Sequence, residues 1–269
     1  MSNILISAIS ENEATGEVAE IYDDIKSTLG NGVVNLIWRH LATIEGALPW
    51  VWNALKPLYV DDILKNEAAL VCDSIKIPSI GILPSAALQA VNISDLDKLT
   101  ICDILDSYNK GNAFNLLALS ALTVLPSDKK EMASSSVTFA EDINIPDIVP
   151  LDNIIGVTKD LVLALSKLGA PNGSKIIPSL YRHLAYWPGF LSLSWSIIAP
   201  LHADGRLGSM MDLTYKLAEK RAANIADVVV WGVEPDTADQ AMKAIHEFRL
   251  TAISRMLPIG LILRIAAGK

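Results

Sequence analysis

The sequence lacks most of the features that mark disulfide-bonded, zinc-binding or nucleic-acid-binding proteins. Only two cysteines occur in 269 residues, Cys72 and Cys102, thirty positions apart and without a CxxC pair, so neither a disulfide framework nor a cysteine zinc site has enough ligands. Basic residues are few, 22 against 30 acidic ones, which gives a net charge of -8. A surface that binds nucleic-acid phosphates needs the opposite balance. We therefore expect buried, reduced thiols and no nucleic-acid partner.

Motifs for cofactors and metals are also missing. The glycines form neither GxGxxG nor a P-loop, and the sequence contains no HExxH and no GxSxG. Its four histidines, His40, His183, His202 and His246, are scattered singly, and the one adjacent glutamate, Glu247 beside His246, does not complete the ligand set of a metal site. The prediction is a protein without a metal or an organic cofactor.

Charged residues make up only 19% of the chain and hydrophobic residues 51%, which is typical of helices that are buried on several faces. Mean hydropathy is +0.35. The most apolar segment of the second half, residues 183–203, contains two prolines and three serines, so it predicts two buried helices better than a membrane span. The N-terminus carries no basic residue ahead of its apolar stretch, which is unlike a secretory signal. We expect a cytoplasmic protein without a membrane partner.

An internal duplication is the clearest pattern in the chain. The tetrapeptide RHLA at Arg39 recurs 143 positions later at Arg182, and ten of the 23 positions in residues 39–61 are identical to their counterparts. Unrelated segments would share one or two. Trp52 and Trp195 form one of the identical pairs, and we expect them to be buried at equivalent places, since a shared large residue usually serves a shared core.

The duplication and the helical spacing of apolar residues predict the fold class. We expect an all-α protein of two tandem helical repeats, residues 1–130 and 145–269, joined by a linker over 131–144. No stretch alternates with the period of a strand. Two related halves would pack as a pseudo-dimer with a pocket between them, and a homodimer is a further possibility.

Two sets of polar residues are candidates for the pocket. Arg39 and Arg182 could present guanidinium groups to a carboxylate, or could brace neighbouring helices identically in both halves. The patch Tyr108-Asn109-Lys110-Gly111-Asn112 could place a ligand-binding amide at Asn112, or could end a helix with Gly111 as its cap. The adjacent pair His246 and Glu247 could supply an acid and a base, or could lie on a solvated helix face.

Several segments taken together resemble the group I 2-haloacid dehalogenases. They are GEVAEIYDDIKSTLG, RHLATIEGALPWVW, YNKGN followed by an apolar helix, HLAYWPGFLSLSW and IIAPL, spread over nearly the whole chain. The resemblance implies a two-repeat helical fold with its active site between the repeats. It also implies hydrolysis of small 2-halocarboxylates by an activated water that attacks C2, without a covalent ester or a cofactor.

The family's site residues match this sequence only in part. Its water-placing asparagine falls on Asn112, and the serine before its catalytic aspartate is kept as Ser179. The aspartate that acts as general base falls on Leu180, and a leucine cannot accept a proton. Aromatic residues of the family's halide pocket fall on Val33 and Leu36, so the resemblance implies a more aliphatic pocket here. Arg39 and Arg182 are the candidates for binding the carboxylate of a substrate.

The sequence leaves three functions open. The first is a dehalogenase-like protein whose pocket between the repeats binds a small molecule, a small carboxylate by resemblance, without dehalogenating by the family mechanism. The second is an active hydrolytic dehalogenase with a relocated base, Glu247 or His246. The third is a noncatalytic helical interaction protein.

Overall fold

A computed structural model describes residues 6–129, 133–140 and 145–268, and these ranges form helices joined by turns and loops, with no strand among them. The all-α prediction is confirmed. Part of the predicted linker, residues 131–132 and 141–144, lies outside the described residues, as does residue 130 before it. The α-helices are α1 Glu17–Leu29, α2 Leu36–Leu41, α3 Ala47–Tyr59, α4 Asp62–Ser74, α5 Ser85–Ala90, α6 Asp95–Ala121, α7 Gly156–Lys167, α8 Ser179–His183, α9 Pro188–Ala203, α10 Arg206–Ala222, α11 Ala238–Phe248 and α12 Ser254–Ala267.

Local sequence explains where several helices begin and end. Ser94 starts α6 with a reciprocal capping box, in which its hydroxyl accepts from the backbone N–H of Asp97 and the Asp97 carboxylate accepts from the backbone N–H of Ser94. Gly30 ends α1 in the left-handed conformation, with φ of 57°. A π-helical turn, Arg249–Ile253, joins α11 to α12, so that one continuous helical segment runs through the second half.

The helix boundaries repeat at the spacing found in the sequence. α2 begins at Leu36 and α8 at Ser179, while α6 begins at Asp95 and α11 at Ala238, so each pair is 143 residues apart. This agreement adds to the sequence identities, and the duplication itself stays a prediction until the two halves are superposed.

The hydrophobic core consists of two clusters, and each draws on both halves of the chain. α6 contributes its first turns, from Ile101 to Tyr108, to one cluster and its later turns, from Ala113 to Leu122, to the other. The α11–α12 segment crosses between the same clusters in the opposite order. The two long helices pack against each other, and they hold together parts of the chain that lie more than a hundred residues apart.

The polar patch at residues 108–112 does not end a helix, so the capping interpretation of Gly111 is wrong. α6 continues through it for 27 residues. An added Cβ at Gly111 would lie 2.8 Å from Asn31 Nδ2 and 2.9 Å from Asn35 Oδ1. Glycine is present because the loop before α2 packs directly on the backbone of α6.

Trp52 is buried in the core but Trp195 is 38% exposed, so the expectation of equivalent burial is wrong for the second half. α1 packs on α3 and provides Asp24, whose Oδ2 accepts a hydrogen bond of 2.7 Å from the indole of Trp52. Trp195 lies on the exposed side of α9, between Ser192 and Ser196. The same residue is therefore core in one half and surface in the other.

Both cysteines are free and buried, as expected. Burial raises the pKa of Cys72 to about 12, which keeps this thiol protonated near neutral pH. One helical segment, Ala238–Ala267, is long and apolar enough to cross a membrane, but 72% of its most apolar window is buried inside the fold. Core helices of this kind pass the same test of length and composition.

The first turn of α9, between Trp187 and Phe190, packs on the turn between α5 and α6. A substitution at this contact tests how tightly the two turns are packed. A Cβ added at Gly189 would lie 2.5 Å from the backbone oxygen of Val91 and 2.6 Å from its Cβ. We expect Gly189→Ala to lower the free energy of unfolding by about 1 to 3 kcal/mol, because the backbone of Val91 must move.

Gly208 provides the matched control, since an added Cβ there meets nothing within 4 Å. Gly208→Ala in the exposed part of α10 should raise stability by about 0.5 to 1 kcal/mol. Urea unfolding of both variants measures the two changes. Equal effects of the two substitutions would show that the turn is not tightly docked.

Candidate functional site

A cavity of about 50 Å³ lies between the two halves. Three short stretches form most of its wall, namely the start of α2 with the residue before it, the start of α8 with the residues before it, and the facing surfaces of the two long helices. The lining residues are Asn35, Leu36, Ile37, Tyr108, Asn112, Asn115, Ile176, Pro178, Ser179, Leu180, Phe248, Ala252, Ile253 and Met256. At about 10 to 15 Å³ for each water, the space holds a few waters or a very small organic molecule.

The walls from α2 and α8 are equivalent by position. Residues 35–37 and 178–180 both line the cavity, and they are 143 positions apart. Four residues named from the sequence therefore meet here, Leu36 and Asn112 from the first half and Ser179 and Leu180 from the second. Val33 is buried in the core but does not line the cavity.

Leu180 is 1% exposed and lines the cavity at the position where the resemblance places a catalytic aspartate. No aspartate or glutamate is among the lining residues of the described chain. The only titratable side chain there is Tyr108, and burial raises the pKa of its hydroxyl above its usual range. The wall therefore carries no carboxylate that could act as a general base.

The arginine–histidine pairs are not used identically in the two halves. Arg39 is buried, and its Nη2 donates a hydrogen bond of 2.8 Å to Ser179 Oγ across the interface between the halves. His40 is half-buried and contacts the backbone oxygen of Ser7. In the second half it is His183 that is fully buried, while Arg182 is half-buried and donates to the backbone oxygen of Val149.

His183 and Tyr108 form a hydrogen-bonded pair with a defined direction. His183 Nε2 contacts the backbone oxygen of Pro146, and because a carbonyl only accepts, Nε2 carries the ring proton. The other nitrogen, Nδ1, then accepts from the Tyr108 hydroxyl at 3.1 Å. Burial lowers the pKa of His183 and so favours this neutral ring.

Positive charge gathers behind this part of the wall. Burial and the neighbouring charge of Arg39 lower the pKa of Arg182, and both guanidinium groups act on Tyr108 to offset part of the rise of its pKa. Neither arginine lines the cavity itself. Acidic groups oppose part of their field, since the charge of Glu11 raises the pKa of Tyr108 and that of Asp152 raises the pKa of Arg182.

Glu247 and His246 lie away from the cavity. Both are exposed on α11, whereas the next residue, Phe248, points inward and lines the wall. Helical geometry explains the separation, because successive residues point about 100° apart and only one face of α11 meets the cavity. The prediction of Glu247 or His246 as a relocated base therefore does not fit this cavity, because neither side chain lines the space that a substrate would fill.

Asn115 is a lining residue that the sequence analysis missed. It is 1% exposed, and its Oδ1 accepts from the indole of Trp38 at 3.0 Å and from the hydroxyl of Tyr59 at 2.7 Å. A signal was present, because Asn115 follows Asn112 by three positions and so shares its helix face. Tyr108, four residues before Asn112, is on that face as well.

The described residues contain no cluster of three or more histidine, cysteine, aspartate or glutamate side chains arranged to hold a metal ion. The prediction of a protein without a metal or an organic cofactor is not tested by this.

Comparison with known proteins identifies two sequence relatives, both configuration-inverting 2-haloacid dehalogenases. One, from Pseudomonas sp. (strain 113), is 30% identical over 114 residues, which are 42% of this chain and only 37% of that protein. The other, from Alcaligenes xylosoxydans xylosoxydans, is 24% identical over 72% of this chain and 68% of its own length. No family model matches.

Solved structures extend the comparison to the whole fold. A D-2-haloacid dehalogenase mutant is similar with a TM-score of 0.69 and 19% identity over 98% of this chain and 96% of its own. The same enzyme type in complex with L-LA gives a TM-score of 0.68 at 19% identity and the same coverage. This chain is therefore similar in sequence to 2-haloacid dehalogenases and shares the fold of the D-2-haloacid dehalogenase structures over nearly its whole length.

Proposed function

We propose that this protein binds a small carboxylate in the cavity between its halves and does not release halide by the hydrolytic mechanism that the resemblance implies. The observation that carries the proposal is Leu180, which occupies the wall of the cavity where a carboxylate base is required. A buried leucine cannot remove a proton from water.

The rest of the wall supports the loss of the base. The proton of Tyr108 is directed to His183, and a proton transferred onward to the imidazole would create a buried cation next to Arg182. Such a charge is costly without a partner. The Tyr108–His183 pair therefore does not replace the missing carboxylate near neutral pH.

The same surroundings support a carboxylate ligand. Arg39 and Arg182 place positive charge behind the wall, and the apolar residues around Leu36 and Phe248 suit the hydrocarbon part of a short acid. Two repeats in a pseudo-dimer, with the cavity on the pseudo-twofold axis, are part of this proposal. The matching positions of residues 35–37 and 178–180 support that arrangement.

Halide release tests the proposal directly. Purified protein incubated with each enantiomer of 2-chloropropionate near pH 7.5 should release no halide above the buffer blank, because general-base assistance, which typically contributes about 10²- to 10⁴-fold, is missing. Ion chromatography measures the halide. Turnover of either enantiomer by the wild-type protein, abolished by a substitution in the cavity wall, would reject the proposal.

A further inference from the structure

The inter-half cavity has one hydrogen-bond donor whose direction is fixed by its neighbours. Asn115 Oδ1 accepts from Trp38 Nε1, and an indole nitrogen only donates. The oxygen and nitrogen of this amide therefore cannot exchange places. Burial also keeps the second donor, Tyr59, protonated, because it raises the pKa of that hydroxyl well above 10.

The opposite end of the same amide is unpartnered. Asn115 Nδ2 is buried and makes no hydrogen bond to a described residue, although Asn115 lines the cavity. A buried donor left without an acceptor costs about 1 to 3 kcal/mol. An acceptor atom in the cavity would remove that cost.

Other polar groups also line the cavity. The Tyr108 hydroxyl donates to His183 and so offers only lone pairs, whereas Asn35, Asn112 and the Ser179 hydroxyl carry donors. Among the lining residues of the described chain, Asn115 Nδ2 is the one side-chain donor that is buried without a hydrogen-bond partner, so it gains most from an acceptor in the cavity. The arginines do not line the cavity and supply only a field.

We propose that Asn115, clamped by Trp38 and Tyr59, donates from Nδ2 to an oxygen of a small carboxylate, and that this charge-assisted hydrogen bond strengthens the binding of acids relative to neutral amides. This inference rests on the proposed carboxylate pocket and adds a residue, an atom and a specificity to it. The clamp positions the donor before the ligand arrives, so little ordering is needed on binding.

Asn115→Asp separates the donor from the clamp. The substituted carboxylate still accepts from Trp38 and Tyr59, but it offers no N–H to the cavity. By calorimetry at pH 8, propionate should bind at least about tenfold more weakly to this variant, which corresponds to about 1.4 kcal/mol. Propionamide, which can donate, should bind the variant no more weakly than the wild type, so the preference between the two ligands should reverse.

Asn109→Asp is the matched control. Asn109 is on the same helix and is buried, but it does not line this cavity. This substitution introduces the same charge and should leave the preference for propionate over propionamide in place. Loss of the preference in both variants would assign the effect to charge in the helix and would overturn the role of Asn115.

A measurement on the wild-type protein covers the case in which Asn115→Asp fails to fold. Trp38 donates to the same amide, so saturating propionate should shift its indole N–H resonance in the NMR spectrum, assigned with Trp38→Phe. If propionate binds and that resonance does not move, Asn115 is not the donor and the carboxylate pocket survives. If propionate does not bind to the wild-type protein at all, the pocket itself is rejected.

Discussion

Trp52→Ala should lower the free energy of unfolding by about 3 to 5 kcal/mol, whereas Trp195→Ala should lower it by less than about 1 kcal/mol. The indole of Trp52 is 1% exposed, and its ring centroid lies 5.4 Å from that of Trp38 in an edge-to-face arrangement. Removing it leaves a large cavity and leaves Asp24 without its indole donor. Trp195 is 38% exposed and belongs to neither core cluster, so its removal opens no enclosed cavity in the core.

The two tryptophans are an internal control, because they are 143 positions apart and form one of the identical pairs of the predicted duplication. Urea unfolding followed by far-UV circular dichroism measures both changes without relying on tryptophan fluorescence. Equal losses in the two variants would contradict the different burial of the two residues and would favour a symmetric core.

Leu180→Asp should both destabilise the protein and create a base in the cavity. Removing a fully buried leucine costs about 2 to 5 kcal/mol in packing alone. The new carboxyl group is also withdrawn from water, which raises its pKa in the folded state above the unfolded value of about 3.9. The folded state then binds more protons than the unfolded state.

The sign of the pH dependence follows from that difference. Because the pKa is raised by folding, stability relative to wild type is greatest below the unfolded pKa. It falls as the pH rises towards the folded pKa, by up to about 1.4 kcal/mol for each pH unit. Any halide release from 2-chloropropionate should increase as the pH rises through the folded-state pKa of this carboxyl group, since only the ionised carboxylate accepts a proton from water.

Leu180→Asn is the control for this experiment. It has nearly the same shape and polarity but does not ionise, so its loss of stability should not vary with pH and it should release no halide. Urea unfolding at pH 5 and pH 8, with halide measured in parallel, distinguishes the two variants. A pH-independent loss in Leu180→Asp would mean that the side chain reaches solvent instead of the cavity.

Local signals in the sequence were enough to predict much of the fold. Ser94 and Gly30 mark helix ends through capping rules that depend on a few neighbouring residues. The continuity of α6 could not be predicted in the same way. The polar residues around Gly111 are typical of a helix end. Only the packing of Asn31 and Asn35 against that glycine explains why the helix continues.

Only part of the site could be predicted from the sequence. The resemblance predicts correctly that Asn112, Ser179 and Leu180 lie around one cavity, because aligned positions carry over even when side chains differ. Asn115 lies inside an apolar run, and its importance depends on donors from Trp38 and Tyr59, which are 77 and 56 residues away in the chain. Glu247 was predicted as a base because it is adjacent to His246, but its position on the exposed face of α11 places it in solvent.

The π-helical turn between α11 and α12 has a consequence for the symmetry of the cavity. Such a turn holds one residue more than an α-helical turn, and α6 contains none. If the predicted offset of 143 holds before the turn, the extra residue makes it 144 after the turn. Met256 then matches Asn112, and both line the cavity from the two long helices. The extra residue therefore keeps the matching positions directed at the cavity, and it places an apolar thioether on one helix where the other helix carries an amide.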